Sequence, residues 1–240
     1  MKAIDFLIES VKEASKLISD NFEVNNKDDK GDLVTTYDYE IEKYLINKFK
    51  ENYPTFDIVS EEFNTNNKIT DNCFVIDPID GTINFANNNP MWAIMVCMYK
   101  DGQACASVIY SPKFNELYYA DETGAYLNGN KISVKALPID RCLYSIDCGD
   151  KDNTIKMIDQ YTRHYRFYAC AGLSYAYIAS GKLSGYLFRK ENPWDYAAGM
   201  FLAKQAGAYV HDEEGLHIAA CSQELLNILI ENGKIYEDGI

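Results

Sequence analysis

The first eighteen residues alternate apolar and polar positions at helical spacing. Their apolar members are Ile4, Leu7, Ile8, Val11, Ala14, Leu17 and Ile18. Because residues three and four apart share one face of a helix, this segment predicts an amphipathic helix. The polar residues 23–32 predict a loop. A second helix, with apolar positions between Ile41 and Phe49, is expected to end before Pro54.

Short apolar runs in the middle of the chain predict strands. The first two lie at residues 56–60 and 73–76, and each is followed directly by acidic residues. Two longer runs, at residues 92–100 and 103–111, flank Asp101-Gly102, a dipeptide typical of tight hairpin turns. The first half therefore predicts a sheet that is partly antiparallel.

Strand and helix patterns alternate in the second half of the chain. Strands are predicted at residues 143–147, 167–170 and 184–188, and helices at residues 153–163, 174–180, 195–206 and 223–231. This alternation predicts layers of helices and sheets in a mixed α/β (α+β) fold, with a mixed sheet because of the hairpins. No linker-like stretch separates the halves. We expect one compact unit, with an N-terminal lobe at residues 1–135 and a C-terminal lobe at residues 136–240.

Charge narrows the range of partners. The 240 residues carry a formal net charge of -13, and so acidic a surface repels nucleic acid and anionic membranes. A phosphate-handling protein with this charge needs local positive charge, which a bound metal cation supplies. Acids interrupt the apolar start of the chain, and the longest apolar run, residues 91–99, is too short to span a bilayer. We therefore expect a cytoplasmic protein.

Candidate chemistry centres on residues 75–85. The strand predicted at 73–76 delivers Asp77 to its end, and Asp80 follows three positions later. Two carboxylates so placed can share one hard cation, because Mg²⁺ prefers oxygen ligands. Gly81 and Thr82 open a short predicted helix whose free N–H groups suit a phosphate. A turn made of ordinary turn-forming residues is the alternative interpretation.

Further acids lie at the ends of neighbouring elements. Glu61 and Glu62 follow the strand predicted at 56–60, and Asp195 begins a predicted helix. A solvated acidic pair and a helix N-cap are the alternative roles of these residues. Acids delivered by separate elements nonetheless suit a multi-metal phosphatase site, in which cations clamp the attacking and leaving oxygens.

Four segments together resemble the inositol monophosphatase family, whose superfamily consists of Mg²⁺-dependent, lithium-sensitive phosphatases. Residues 77–85 (Asp-Pro-Ile-Asp-Gly-Thr-Ile-Asn-Phe) resemble its first signature, and residues 194–199 (Trp-Asp-Tyr-Ala-Ala-Gly) its second. Residues 31–38 match its Asp-Leu-Val-Thr segment, and Glu61-Glu62 match its acidic pair. The order and separations of these segments fit the family.

The resemblance implies a metal ligand at each matching position. A first Mg²⁺ would be held by Glu61, Asp77 and the backbone carbonyl of Ile79. A second would be held by Asp77, Asp80 and Asp195. A third, weaker ion would lie against Glu61, so the resemblance implies two or three Mg²⁺ in each site.

The resemblance also implies catalytic roles and an architecture. Asp38 and Thr82 would form a hydrogen-bonded pair that orients the attacking water and helps to deprotonate it, with Glu61 as the third catalytic residue. The amides of Gly81 and Thr82 would hold phosphate oxygens. The family fold is a layered αβαβα sandwich, usually in a homodimer.

Substrate contacts are implied at four positions. Ala169, Cys170 and Ala171 stand where the family usually has Gly-Ser/Thr-Ala along the pocket, so a thiol replaces a hydroxyl and inositol preference is less firmly implied. Glu191 is the candidate for the family acid that contacts substrate hydroxyls before the second signature.

The expected activity is that of a phosphoric monoester hydrolase of the inositol-phosphate phosphatase type. Its substrate would be inositol monophosphate or a similar small polyol or sugar phosphate. Fructose 1,6-bisphosphate, a 3′-phosphoadenosine nucleotide and NADP are alternative substrates, although Ile83-Asn84 after Asp-Gly-Thr favours the inositol-like branch. A catalytically idle regulatory or binding partner is the alternative outside enzymology.

Overall fold

A computed structural model describes residues 2–19, 22–27, 33–147, 158–189, 192–213 and 215–234. Its helices are α1 (Ala3–Ser15), α2 (Thr36–Asn52), α3 (Thr82–Ala86), α4 (Ala171–Ala179), α5 (Pro193–Gln205) and α6 (Gln223–Lys234). A short antiparallel pair follows α1, formed by β1 (Val24–Asn26), which lies inside the loop predicted at 23–32, and β2 (Leu33–Thr35), which begins just after it. All of β1 is exposed, which explains why its residues carry no apolar pattern.

The larger sheet has seven strands. They are β3 (Asp57–Ser60), β4 (Cys73–Asp80), β5 (Ala93–Lys100), β6 (Gln103–Ser111), β7 (Glu116–Asp121), β8 (Gly124–Leu127) and β9 (Asn130–Ile132), in that order across the sheet. The pair β3–β4 is parallel and the other neighbours are antiparallel. The predicted mixed sheet and the hairpin at Asp101-Gly102 are confirmed.

The smaller sheet has five strands. They are β10 (Leu143–Asp147), β11 (His164–Arg166), β12 (Gly185–Arg189), β13 (Tyr209–Glu213) and β14 (Leu216–Ala220), ordered β11-β10-β12-β14-β13. The prediction of a strand at 167–170 is wrong, because residues 164–166 are the ones that pair with β10. Of the helix predicted at 153–163, residues 153–157 lie outside the described residues, and the prediction is wrong for residues 159–163, which form a turn and the approach to β11.

Five layers result from the way the two sheets bury their faces. Helices α1 and α2 pack on one face of the large sheet, where Phe49 and Phe74 are fully buried. Helices α4 and α5 fill the space between the sheets, and α6 covers the outer face of the small sheet. The predicted layered αβαβα sandwich is confirmed. In the described ranges, no helix is both long and apolar enough to cross a membrane.

The layer between the sheets depends on a close helix contact. A Cβ atom on Gly199 of α5 would lie 2.2 Å from the Tyr175 ring of α4. Only glycine therefore lets these two helices approach so closely, and α5 begins with the residues of the second signature. The contact fixes where the first turn of α5 lies relative to β4.

Candidate active site

The end of β4 carries Asp77 and Asp80, which are 1% and 6% exposed. The pairing of β4 with β5 shifts register between these residues. Pro78 lies in this interval and has no N–H to donate to the ladder, which accounts for an irregularity there. The shift brings both acids to one cavity, although regular alternation would separate residues three apart onto opposite faces.

Glu61 lies one residue beyond β3, the parallel neighbour of β4. Its segment is anchored by Glu42 of α2, a fully buried acid that sequence reasoning missed. Glu42 accepts hydrogen bonds from the Ser60 hydroxyl at 2.5 Å and from the Glu62 and Phe63 amides, both at 2.8 Å. Burial raises the pKa of Glu42. No periodic signal singles out this residue, because it lies on the buried face of a helix among apolar neighbours.

Asp195 lies inside the first turn of α5 and is 9% exposed. Asn192 is the N-cap of this helix and Pro193 its first residue. The alternative role of Asp195 as an N-cap is therefore wrong. Its position two residues further on turns the carboxylate into the same cavity as Asp77 and Asp80.

The amino terminus of α4 fixes the carboxylate of Asp80. The amides of Ala171 and Gly172 donate to it at 3.0 and 2.7 Å, and the Cys170 thiol donates at 2.9 Å. Ala169, Cys170 and Ala171 line the cavity, as predicted for substrate contacts. The donor groups of Cys170 and Ala171 nevertheless serve Asp80, so this segment positions an acid of the site. A substrate contact there stays a prediction.

Gly81 forms the turn after Asp80 in a left-handed conformation, with φ of 86°. A Cβ atom there would lie 2.9 Å from the Met91 carbonyl oxygen and 3.0 Å from the Ala169 carbonyl oxygen. Both contacts are too close for any other residue. Glycine therefore allows α3 to begin directly beside the acids.

Asp38 and Thr82 lie together, as the resemblance implies. The Thr82 hydroxyl is 3.3 Å from Asp38 Oδ1 and 3.0 Å from the carbonyl oxygen of Ile79. The other Asp38 oxygen accepts from the Thr35 amide and hydroxyl at 2.7 and 2.5 Å, which completes the capping box of α2. Burial raises the pKa of Asp38 to about 6.

One cavity of about 180 Å³ collects nearly all of the predicted site residues. Its predicted members are Glu61, Asp77, Ile79, Asp80, Gly81, Thr82, Ala169, Cys170, Ala171 and Asp195. Asp38 lies behind Thr82 and does not line it, and Glu191 lies outside the described residues. Asp147 and Phe188 line it as well. Sequence reasoning gave neither of these residues a role.

The donor set fits a hard divalent cation. Asp77 Oδ1 is buried and has no hydrogen-bond partner among the described residues, and an oxygen in that state is suited to a metal ligand. Burial raises the pKa of Asp77 well above its usual value, and Glu61, Asp80 and Asp195 add to the rise. Such mutual repulsion among buried acids is what a bound cation relieves.

Lys27, at the end of β1, supplies positive charge to this site in the described geometry. Its ammonium lies 2.8 Å from Glu61 Oε1 and also pairs with Glu62. Burial opposes the charge of Lys27, but Glu61 and Glu62 outweigh it and raise the pKa of the ammonium. Among the described residues, no three His, Cys, Asp or Glu side chains converge closely enough to hold an ion as they stand. Release of Glu61 from Lys27 is the rearrangement that a metal at Glu61 requires.

Lys27→Met is expected to lower the Mg²⁺ concentration needed for half-saturation by about three- to tenfold, because it removes the cation that competes for Glu61. Calorimetric titration of the metal-free variant with Mg²⁺ measures this change. Lys48→Met is the matched control, because Lys48 pairs with Glu13 away from the cavity. Weaker Mg²⁺ binding in the Lys27 variant would show that the lysine assists the metal instead.

The stability of the metal-free protein is expected to fall as the pH rises from about 4 to about 7. Burial raises the pKa of Asp38 from 3.8 to about 6 and that of Glu62 from 4.5 to about 7. The folded state therefore binds more protons than the unfolded state in this window, and its advantage is lost as the pH rises. Thermal unfolding in chelator and in saturating Mg²⁺, across this range, measures the effect.

The difference between those two unfolding midpoints isolates the site from other titrating groups. The difference between the midpoints should widen as the pH rises, because a bound cation stabilises ionised acids more than protonated ones. At about 100 times the dissociation constant, Mg²⁺ should add about 2.7 kcal/mol to the free energy of unfolding. A difference that stays constant with pH would contradict this account of the acids.

The fold and the cavity define a layered αβαβα sandwich whose strand ends gather buried carboxylates beside a glycine turn. The sequence profile of the inositol monophosphatase family matches residues 2–235. The chain therefore belongs to the inositol monophosphatase family.

Individual relatives agree with this assignment. The chain is 30% identical to the fructose-1,6-bisphosphatase/inositol-1-monophosphatase of Thermotoga maritima. The alignment is 250 residues long and covers 99% of this chain and 94% of the relative. It is 30% identical over 230 residues to Nus factor SuhB of Escherichia coli, with 89% and 86% covered. The solved structure of Thermotoga maritima IMPase matches with a TM-score of 0.88 at 28% identity, over 99% of each chain.

Proposed function

We propose that this protein is a Mg²⁺-dependent phosphomonoesterase that hydrolyses inositol monophosphate or a similar small polyol or sugar phosphate. The observation that carries the proposal is the buried acid cluster around Asp77, whose Oδ1 atom has no hydrogen-bond partner in the part of the chain that the structure describes. This cluster adjoins the Gly81 turn in one cavity. The name of the Thermotoga maritima relative, which covers both inositol monophosphate and fructose 1,6-bisphosphate chemistry, supports the same class of substrate.

The proposed metal ligands are Glu61, Asp77, Asp80, Asp195 and the carbonyl of Ile79, for two or three Mg²⁺. Bound Mg²⁺ would neutralise charge on the phosphoryl group and make water a better nucleophile. Asp80 is already held in place by α4, and Asp77 by its position in a fully buried strand. The protein thus fixes two of the acids before any ligand arrives.

The proposed catalytic pair is Asp38 and Thr82. The Thr82 hydroxyl can accept a hydrogen bond from an attacking water while it donates to Asp38. With a pKa of about 6, Asp38 can take a proton near neutral pH. The amides at the start of α3 have no intrahelical partner, so Gly81 and Thr82 are proposed to hold phosphate oxygens.

The proposal extends to the state of the protein in the cell. By resemblance to the family, we propose a cytoplasmic homodimer that acts on a small-molecule phosphate ester.

Release of inorganic phosphate, measured with and without Mg²⁺, tests the proposed activity. The panel is inositol 1-phosphate, fructose 1,6-bisphosphate, 3′-phosphoadenosine 5′-phosphate, NADP and 4-nitrophenyl phosphate. We expect release that requires Mg²⁺, with inositol 1-phosphate the best natural substrate. Release that persists undiminished in chelator would overturn the metal-dependent mechanism.

A binding role is the second candidate, favoured by the relative named Nus factor SuhB. Retention of Glu61, Asp77, Asp80 and Asp195 in one cavity supports catalysis over an idle site. If no substrate of the panel releases phosphate while calorimetry shows that Mg²⁺ still binds, the binding role is favoured.

A further inference from the structure

The small sheet contributes two side chains to the cavity. Asp147 ends β10 and Phe188 lies on β12, and the two residues are partners in the parallel register of these strands. Every other described residue along the cavity comes from the β2 segment, the β3–β4 region, the start of α3, the α4 segment or the first turn of α5. Neither side chain of this wall is among the proposed metal ligands or phosphate contacts.

Asp147 is half-buried at this wall, and its side chain makes no hydrogen bond or ion pair with any described residue. Its charge acts on Tyr186, which is 1% exposed and whose hydroxyl has no hydrogen-bond partner among the described residues. Burial raises the pKa of Tyr186 well above its usual value, and the charge of Asp147 is the next largest cause of that rise. The Asp147 carboxylate therefore has acceptor capacity that no described residue uses.

Phe188 holds the wall beside Asp147 rigid, but it is only 1% exposed and gives the cavity little apolar surface. Its ring stacks on Tyr186 at 5.5 Å, and Tyr186 in turn packs edge-on against Tyr175 at 4.9 Å. All three rings are buried in the layer between the sheets. A rigid wall whose polar group is an acceptor suits a ligand that has hydroxyl donors.

We propose that Asp147 contacts the substrate and determines specificity, by accepting hydrogen bonds from hydroxyl groups of a polyol monophosphate. This inference rests on the proposed function, which places the phosphate at Gly81 and Thr82. A carboxylate only accepts hydrogen bonds, so it pairs with hydroxyls and repels a second phosphate. The cavity is therefore selective for monophosphates of hydroxyl-rich alcohols over bisphosphates.

The test compares Asp147→Asn and Asp147→Ala with the wild type on three substrates. These are inositol 1-phosphate, fructose 1,6-bisphosphate and 4-nitrophenyl phosphate, which has no hydroxyl to offer. Loss of a charged acceptor should lower kcat/KM for inositol 1-phosphate by about 10- to 100-fold, mainly through KM. The ratio of bisphosphate to inositol phosphate activity should rise by about tenfold or more in Asp147→Asn, because the repulsion is removed.

Two controls separate this role from general damage. Asp140→Asn removes an exposed acid just before β10. It should change the activity on fructose 1,6-bisphosphate or on 4-nitrophenyl phosphate, relative to that on inositol 1-phosphate, in neither case. Calorimetric Mg²⁺ affinity and the thermal midpoint should stay close to those of the wild type in both Asp147 variants, since the Asp147 side chain makes no hydrogen bond or ion pair with a described residue and is not a proposed metal ligand.

The outcomes distinguish the inference from the function on which it rests. An active wild type whose substrate ratios are unchanged by Asp147→Asn overturns the inference alone. Equal losses on all three substrates overturn it too, because they indicate damage to the phosphate or metal site. A wild-type protein that hydrolyses none of the three substrates overturns the proposed function and the inference together.

Discussion

Asp77→Asn is expected to reduce turnover by at least about 1,000-fold and to raise the stability of the metal-free protein. The substitution keeps the shape of the side chain and removes its charge. Metal-ion catalysis contributes several kcal/mol to transition-state stabilisation, and each 1.36 kcal/mol is tenfold in rate. The proposed role of Asp77 in two metal sites makes its loss more damaging than the loss of any other acid of the cavity.

The opposite effect on stability follows from the burial of Asp77. Its pKa is raised well above the usual value by burial and by the neighbouring acids. An ionised Asp77 is therefore disfavoured in the folded state relative to the unfolded chain, and this cost to the stability of the metal-free protein, which grows as the pH rises, is absent with an asparagine. Thermal unfolding in chelator, at about pH 7.5, should show a higher midpoint for the variant.

Asp121→Asn is the matched control for this experiment. Asp121 is also a buried acid, at 8% exposure, but it accepts hydrogen bonds from Thr123 at the end of β7, outside the cavity. Its substitution should lower stability and leave turnover near that of the wild type. A wild-type rate in Asp77→Asn would refute the assignment of Asp77 as a shared metal ligand.

Thr82→Ala is expected to lower kcat by about 100-fold or more with little change in Mg²⁺ affinity. The substitution removes the hydroxyl that links Asp38 to the cavity, and a general base typically contributes 100- to 10,000-fold, by order of magnitude. It is a cleaner test than a change at Asp38, because Asp38 also caps α2 through Thr35. Steady-state kinetics and calorimetric Mg²⁺ titration measure the two quantities separately.

Thr82→Ser retains the hydroxyl and should keep most of the activity. The serine variant therefore distinguishes loss of the hydroxyl from loss of the methyl group. Equal losses of kcat in Thr82→Ala and Thr82→Ser would show that the methyl group matters and the hydroxyl does not. Loss of Mg²⁺ binding in the alanine variant would show that Thr82 acts on the metal site and not on the attacking water.

The fold could be predicted largely from local patterns. The apolar stripe of α2 and the continuous apolar run at the start of β4 are strong local signals, and both are buried as expected. The end of β11 at residue 166 was missed because Phe167 is an apolar residue that the structure leaves 45% exposed. Pattern reasoning assumes that apolar residues of a strand are buried, and here that assumption is wrong.

The candidate site could be predicted only where its residues fall in contiguous signatures. Asp77, Asp80 and Asp195 lie in such segments, and the structure brings all three to one cavity. Lys27 and Glu42 act through contacts with residues 34 and 20 positions away, which no local pattern encodes. Asp147 and Phe188 become neighbours only when β10 pairs with β12.

The most direct test of the central claim is a Mg²⁺ titration of phosphate release from inositol 1-phosphate, starting from the metal-free wild-type protein. We predict no release above background in chelator and a saturable rise with Mg²⁺, with Asp77→Asn remaining near background throughout. Equal release in chelator and in Mg²⁺, or a rise in Asp77→Asn that matches the wild type, would contradict the assignment of the acid cluster as the metal centre of a phosphatase.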